Sequence, residues 1–199
     1  MCRKMRNFAP RFATKTYKSL TAPEYIQLKA FARIDGAWLS LLLMAGFACY
    51  VVGLTSPTYG FLALLTFIVT PFFVGRRLKR FRDNGLDGTM SFLRGWAYVI
   101  MMFFYGGLLF ALAQYAYLTY MDKGYILMTI NDVLSTPENT AVMKQLGMAD
   151  QINESLHLLG TMRPIDFALN MLTTLIMAGA VLGLPIAAVL QKRRVTNKS

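Results

Sequence analysis

Four long segments of this 199-residue chain are almost free of charged side chains, and this pattern limits the fold more than any other feature. The hydrocarbon core of a bilayer is about 30 Å thick, and a helix of about 20 apolar residues crosses it. Backbone polar groups in lipid must be satisfied internally, so an apolar crossing segment of this length is a helix. We therefore predict an all-α, four-span transmembrane helical bundle with spans at about 36–54, 59–75, 95–120 and 165–190.

The second segment has the weakest sequence support for a complete crossing. Its 17 residues reach only about 25 Å, and Pro71 removes a backbone donor near its end. A re-entrant segment is the alternative, but the basic residues favour a full crossing. Of the 21 Lys and Arg residues, 18 precede the first span, separate the second from the third, or follow the fourth. Four crossings place these stretches on one side, and the positive-inside rule then puts both termini in the cytoplasm.

The composition agrees with a membrane protein. Hydrophobic residues make up 55% of the chain and charged residues 16%, whereas an ordinary soluble domain has about 25% charged residues. This balance excludes a disordered chain and argues against a soluble one. Residues 1–20 are basic and carry no acidic side chain, which is typical of a mobile arm. We assign 1–20 as a basic cytoplasmic arm and 21–199 as the membrane domain, with the first span as an uncleaved anchor.

The connection at 121–164 is too long and too regularly patterned for a passive loop. Apolar residues recur at helical spacing over 126–134 and again over 142–159. Pro137 marks a helix start and Gly147 marks a break. We predict two or three amphipathic helices on the external, periplasmic side. They either lie on the outer headgroups or fold over the mouth of the bundle.

A basic run follows the second span. Topology alone accounts for such a run, and each basic residue near the surface also contributes about 1 kcal/mol to contact with anionic lipids. Nucleic acid is the alternative partner, but the chain has no recognisable nucleic-acid-binding module, and Leu78 and Phe81 interrupt the run. The predicted contacts to anionic headgroups on the cytoplasmic side are Arg76, Arg77, Lys79, Arg80 and Arg82.

Uncharged polar residues occur near the external ends of spans three and four. None of the four apolar cores holds Asp, Glu, Lys, Arg or His, which argues against a proton-coupled or ion-coupled transporter. Gln114 and Asn170 both lie about 8 Å deep in the outer leaflet, and we predict a hydrogen bond between them. They line either a polar pocket or a contact between helices. The candidate outer-leaflet polar cluster comprises Gln114, Asn170, Thr173, Thr174 and Thr66.

Small residues recur at four-residue spacing in three of the spans. Such pairs let helix backbones approach closely in lipid, where no hydrophobic effect drives association. In span one, Ala45 and Cys49 have this spacing. We predict internal helix packing, with a homodimer face as the alternative. The predicted packing residues in spans three and four are Gly107, Ala111, Gly179 and Gly183.

Three titratable residues outside the apolar cores have structural interpretations. Asp35 lies at the inner boundary of span one, where it is either a solvated carboxylate or a partner of Arg94. Asp166 suits the first turn of span four, because the helix dipole there favours an anion. His157 has no Cys or second His nearby to complete a metal site. We predict no catalytic residue, no metal site and no cofactor.

The stretch that leads into the third span, DNGLDGTMSFLRG at 83–95, resembles a family of small bacterial inner-membrane proteins catalogued as domain of unknown function 4199. The external insertion, the proline that starts the fourth span and the basic tail at 191–194 add to this resemblance, which extends over about 33–194. The family offers no established active-site residues to carry over. Its members are often encoded near a glycosyltransferase that acts on polyprenyl-phosphate lipids, so the resemblance implies, by association, a partner of that kind.

Three classes of function can be compared with these observations. We predict a non-enzymatic accessory or scaffold subunit that recruits or stabilises a membrane partner, as a complex or a homo-oligomer. The alternative is a small transporter or lipid-handling protein that uses the outer-leaflet polar cluster. A membrane enzyme would need clustered carboxylates, histidines or a nucleophile, and the sequence offers no such cluster.

Overall fold

The computed structural model describes residues 22–192, with side chains from Tyr25 onward. It confirms the all-α prediction, since four of its helices are long and apolar enough to cross a membrane. The predicted arm at 1–20 and the chain after Lys192 lie outside the described residues. The helices are α1 (Ala22–Gly53), α2 (Pro57–Gly85), α3 (Phe92–Tyr120), α4 (Tyr125–Leu134), α5 (Pro137–Gln145), α6 (Ala149–Thr161) and α7 (Pro164–Leu190).

Local sequence sets the connection between α2 and α3. Pro57 begins α2 in the first turn, where its missing N–H has no intrahelical role. After α2 ends, Asp87 and Gly88 adopt positive φ angles of 49° and 73° and reverse the chain. Ser91 then caps α3, because its Oγ accepts a hydrogen bond from the Arg94 N–H at 3.4 Å.

α2 is one continuous helix and not a re-entrant segment. Its 29 residues extend over about 43 Å, which exceeds a hydrocarbon core of about 30 Å. Pro71 lies inside this helix without ending it. The hydroxyl of the preceding Thr70 donates a hydrogen bond to the Thr66 carbonyl at 2.9 Å within the same helix. α2 is therefore long enough to cross a bilayer and continue beyond it.

α3 is the central helix of the bundle. α1 and α7 pack on it, and α2 packs mainly on α1. Of the most apolar stretch of each helix, 44% is buried in α3, 17% in α1 and α7, and 11% in α2. α2 thus presents large apolar side chains such as Phe61, Phe67 and Phe72 to its surroundings. In a membrane such side chains face lipid or another protein.

The first turns of α1 and the last turns of α2 pack together beyond the predicted spans. The rings of Phe31 and Phe81 lie 5.4 Å apart between centroids, and Leu28 is buried beside them. We call 25–35 of α1 together with 76–85 of α2 the platform. We call the end of the bundle that carries the platform the basic end. α1 and α2 are therefore held to each other outside the apolar spans as well as within them.

α1 approaches its neighbouring helices closely at two glycines. The predicted pair Ala45 and Cys49 does not form this contact, since the side chain of Ala45 is exposed. A methyl group at Gly36 would lie 2.9 Å from the Met102 carbonyl oxygen of α3. A methyl group at Gly46 would lie 2.8 Å from Thr66 Cγ2 of α2. The physical reason is that α1 lies between two helices, so it needs a small residue on each of two faces.

α3 and α7 run antiparallel with a small residue at each turn of their contact. A methyl group at Gly179 would lie 2.5 Å from Phe103 Cγ, and one at Gly183 would lie 3.0 Å from Trp96 Cδ1. Ala111 is buried on the same helix as Phe103. Both glycines of α7 thus face α3 within the chain. The successive contacts are Gly95 with Ala187, Val99 with Gly183, Phe103 with Gly179, and Gly107 with Leu175.

Three short helices, α4 to α6, occupy the insertion at 121–164. Asp122 starts the first of them, since its carboxylate accepts backbone hydrogen bonds from Gly124 and Ile126, both at 3.1 Å. The predicted break at Gly147 is a turn with a positive φ of 64° between α5 and α6. None of the three helices has a buried residue, and they contact one another.

Candidate functional site

A buried ionic cluster joins three helices near the basic end. Asp35 of α1 is only 5% exposed. Arg77 of α2 places its Nη1 3.1 Å from Asp35 Oδ1, and the hydroxyl of Tyr98 on α3 donates a hydrogen bond to Oδ2. We call these three residues the Asp35 cluster. Because each carboxylate oxygen has a partner, the cluster offsets the cost of removing a charge from water.

The buried position of Asp35 corrects the sequence-based interpretation. We expected a solvated carboxylate or a pair with Arg94, but the partners of Asp35 are Arg77 and Tyr98. Tyr98 lies one helical turn further along α3 than Arg94. Asp35 also shares the inward face of α1 with buried Leu28, seven residues earlier. That spacing is the sequence signal that indicates burial.

Aromatic rings flank the guanidinium group of Arg77. Its central carbon lies 5.0 Å from the ring centroid of Phe73 and 5.6 Å from that of Trp38. Both distances are in the range of cation–π attraction. The Arg77 side chain is 18% exposed. Arg77, which was predicted to contact lipid, therefore interacts with other residues of the protein.

The Asp35 cluster continues into the platform through stacked rings. The ring of Phe81 lies parallel to that of Tyr98, 4.5 Å away and inclined by 8°. Nearer the end of α2, Gln27 donates a hydrogen bond from Nε2 to the Gly85 carbonyl at 2.9 Å. Rings and hydrogen bonds together fix the angle at which α1 and α2 leave the bundle.

The chemistry of the Asp35 cluster is that of a structural junction. Asp35 and Tyr98 are almost inaccessible to solvent, at 5% and 0% exposure. A general acid or base must come within hydrogen-bond reach of a substrate proton, directly or through one water. Instead, each group of the cluster is turned toward another group of the cluster. The arrangement therefore fixes helices relative to each other.

Three of the five predicted lipid contacts are exposed, and two are engaged within the protein. Arg76, Lys79 and Arg80 have exposed side chains. Arg77 belongs to the Asp35 cluster, and Arg82 donates from Nη1 to a main-chain carbonyl at the end of α7 at 3.2 Å. The basic run therefore divides between contacts that hold the bundle and charges that are available to an external anion.

The end of α7 is tied to the α2–α3 connection. The carbonyl that Arg82 contacts belongs to Leu190, and Arg82 also pairs with Asp83 at 2.8 Å. Beyond α7, Met90 and Lys192 exchange two backbone hydrogen bonds of 2.8 and 3.0 Å. These contacts hold the end of α7 beside the last turns of α2.

Gln114 is the most unusual member of the predicted outer-leaflet polar cluster. Its side chain is 1% exposed, and its Oε1 has no hydrogen-bond partner among the described residues. The predicted hydrogen bond to Asn170 is absent within the described part of the chain, and Asn170 is exposed. α3 and α7 are antiparallel, so each residue forward along α3 matches one residue back along α7, and in this register Gln114 lies opposite buried Ala168 and not opposite Asn170.

The three threonines of the predicted polar cluster form hydrogen bonds within their own helices. Each hydroxyl donates to the carbonyl four residues earlier, a local bond that satisfies the group without a partner helix. Thr173 and Thr174 have exposed side chains. The hydrogen bonds run from Thr66 to Leu62 at 3.0 Å, from Thr173 to Leu169 at 3.0 Å, and from Thr174 to Asn170 at 2.9 Å.

The insertion carries the one histidine of the sequence. His157 lines a shallow depression of about 370 Å³ between α4 and α6, together with Asn131 and Leu127. Among the side chains that the structure describes, from Tyr25 to Lys192, no three His, Cys, Asp or Glu residues lie close enough together to hold a metal ion. Asp166 forms an exposed pair with Arg163 at 2.7 Å at the start of α7.

The four long apolar helices indicate a multi-pass membrane protein with a helical bundle. The sequence also places it in a family. The profile of the family described as "Protein of unknown function (DUF4199)" matches residues 35–192, so the chain belongs to that family and the resemblance noted from the sequence is confirmed. No curated protein and no solved structure matches the chain.

Proposed function

We propose that the chain is a protein of the bacterial inner membrane whose basic end faces the cytoplasm. The support is the distribution of charge along the sequence, because 18 of the 21 Lys and Arg residues precede the first span, separate the second from the third, or follow the fourth. Lys and Arg in short loops are retained on the cytoplasmic side during insertion. The insertion at 121–164 then lies in the periplasm.

We further propose that the protein is a non-enzymatic accessory subunit that recruits or stabilises a membrane partner. The observation that carries this proposal is the platform, which extends two helices of the bundle past the apolar spans and is held to them by the Asp35 cluster. A rigid, preorganised surface lowers the entropic cost of binding a partner.

The surface of the platform defines the chemistry of the partner. Ile26 and Ile34 are 67% and 63% exposed, and Lys29 and Arg80 lie on the same pair of helices. Exposed apolar side chains beside cations fit a surface that is apolar and acidic. An enzyme that handles lipid-linked sugars is the specific partner that we propose, because the phosphate of such a substrate lies at the membrane surface beside these cations.

Photo-crosslinking tests the accessory role. A photoreactive residue at Ile26 or Ile34 should give one discrete protein adduct in cells, whereas one at Met128, which is 69% exposed on α4, should not. Reversing two platform charges, with Lys29→Glu and Arg80→Glu, should remove the adduct while the variant still inserts and folds. Equal adducts from Met128, or an adduct that survives charge reversal, would contradict the proposal.

A second candidate is a small transporter or lipid-handling protein, and the state of Gln114 favours it. The buried Oε1 of Gln114 is an acceptor without a partner in the described residues. A hydroxyl or ammonium group of a ligand in the outer leaflet would satisfy it, and because Gln114 is 1% exposed such a ligand requires the helices around Gln114 to separate. Loss of a co-purified lipid in Gln114→Leu, with unchanged folding, supports this candidate over the accessory role.

A further inference from the structure

A groove runs between α2 and α7 near the basic end. Its volume is about 440 Å³. The walls are apolar: Pro71 and Phe72 come from α2, and Pro185 and Val189 come from α7. Phe72 and Val189 are 71% and 81% exposed on helices that are long and apolar enough to cross a membrane, so in a bilayer the groove opens to lipid.

The groove exists because its two walls are held by different neighbours. α2 packs mainly on α1, and α7 packs on α3 through its glycines. α2 and α7 come close at Gly75, where a methyl group would lie 3.9 Å from Ile186 Cγ2. The hydrogen bond from Arg82 to the Leu190 carbonyl joins the two helices at the basic end. These contacts hold α2 and α7 in place, and the space between them forms the groove.

Two exposed cations stand on one wall of the groove. Arg76 and Lys79 line it and lie three residues apart, hence on the same side of α2. Neither forms an ion pair with another described residue. Both lie beyond the predicted end of the second span, at the level of the lipid headgroups. The groove therefore combines an apolar channel with positive charge at one end.

We propose that this groove binds one anionic phospholipid of the leaflet at the basic end. Its acyl chain lies along Pro71, Pro185 and Val189, and its phosphate accepts hydrogen bonds from Arg76 and Lys79. An amphiphile with a negative headgroup matches both the apolar walls and the position of the two charges. The proposal does not depend on the accessory role, because the groove lies between α2 and α7, whereas the exposed apolar side chains of the platform, Ile26 and Ile34, lie on α1.

Native mass spectrometry of the full chain tests the headgroup contact. After reconstitution with phosphatidylglycerol, the protein should retain one lipid per chain, and it should retain phosphatidylcholine far less. Arg76→Gln with Lys79→Gln should weaken phosphatidylglycerol binding about thirtyfold. Lys29→Gln with Arg33→Gln removes the same charge from the same end, but on α1 and outside the groove, and should preserve that binding. Equal retention of both lipids, or equal loss in the two double variants, would overturn the proposal.

A second variant tests the acyl-chain contact without altering charge. Val189 is 81% exposed, so Val189→Trp fills the groove while leaving the bundle contacts intact. It should displace the bound lipid, whereas Leu184→Trp, at an exposed position of α7 outside the groove, should not. Lipid retained in Val189→Trp refutes the groove as the site. Disulfide crosslinking of Val189→Cys chains to each other would identify a second copy as the occupant and also refute it.

Discussion

At the scale of single residues, burial decides the role of the polar side chains. Asp35 lies at the boundary of a predicted span, and its spacing to Leu28 indicates an inward face. Its partner was not predictable, because Arg77 is one of five cations in a run, and the sequence alone does not show that α2 continues through this run and turns Arg77 toward α1. Tyr98 and its stacked neighbour Phe81 were also not predictable. Their contact depends on the relative position of three helices.

Loss of the carboxylate charge should destabilise the bundle. Asp35→Asn leaves Arg77 without its counterion in a site where it is 18% exposed, and we expect a loss of about 3 kcal/mol in the free energy of unfolding. Fluorescence of Trp38 and Trp96 during unfolding in detergent measures this loss. Asp166→Asn removes the same charge from an exposed pair in the first turn of α7 and should cost less than about 1 kcal/mol. Equal stability of Asp35→Asn and the original chain would contradict the structural role of the Asp35 cluster.

Gln114 should behave in the opposite way. Since its Oε1 has no partner in the described structure, Gln114→Leu removes an unsatisfied acceptor and should raise the free energy of unfolding by about 1 kcal/mol. Thermal unfolding in detergent, followed by circular dichroism, tests this expectation. A clear loss of stability would show that the carboxamide is hydrogen-bonded in the folded protein.

At the scale of the helices, the number and order of the spans follow from apolar length and charge. The residues at the helix contacts follow only in part from spacing. Gly179 and Gly183 are recognisable because four-residue spacing of glycine in a span is typical of packing. Gly36 and Gly46 have no second glycine at that spacing, and each serves a different neighbouring helix; Ala32 and Ser40, four residues on either side of Gly36, are the small-residue signal in the sequence that indicates its contact. The indole N–H of Trp96, which donates to the α7 backbone at 2.9 Å, also required the packed structure.

Enlarging the glycines of α7 should separate it from α3. Gly179→Leu places a side chain where a methyl group already lies 2.5 Å from Phe103 Cγ, so we expect a loss of about 3 kcal/mol in stability. Ala188→Leu, at an exposed position on the same helix, is the matched control and should cost little. Thermal unfolding of the two variants in the same detergent measures the difference. Equal unfolding temperatures would place Gly179 outside the α3–α7 contact.

At the scale of the whole molecule, the four long helices bring three chain segments to one end of the bundle. The start of α1, the end of α2 and the end of α7 lie together there, as the Asp35 cluster and the Arg82 contact to Leu190 require. The short helices of the insertion lie on the other side of the apolar spans. In the orientation that we propose, the platform lies in the cytoplasm, where its cations have access to anionic headgroups and to a partner.

Cysteine labelling of intact cells tests this arrangement most directly. In a chain whose Cys2 and Cys49 are replaced by Ser, single cysteines are introduced as Arg80→Cys, Asn139→Cys and Lys192→Cys. A membrane-impermeant maleimide should label Asn139→Cys in intact cells, and the other two only after permeabilisation. Labelling of Arg80→Cys together with Asn139→Cys in intact cells would contradict the four-span arrangement and the platform that depends on it.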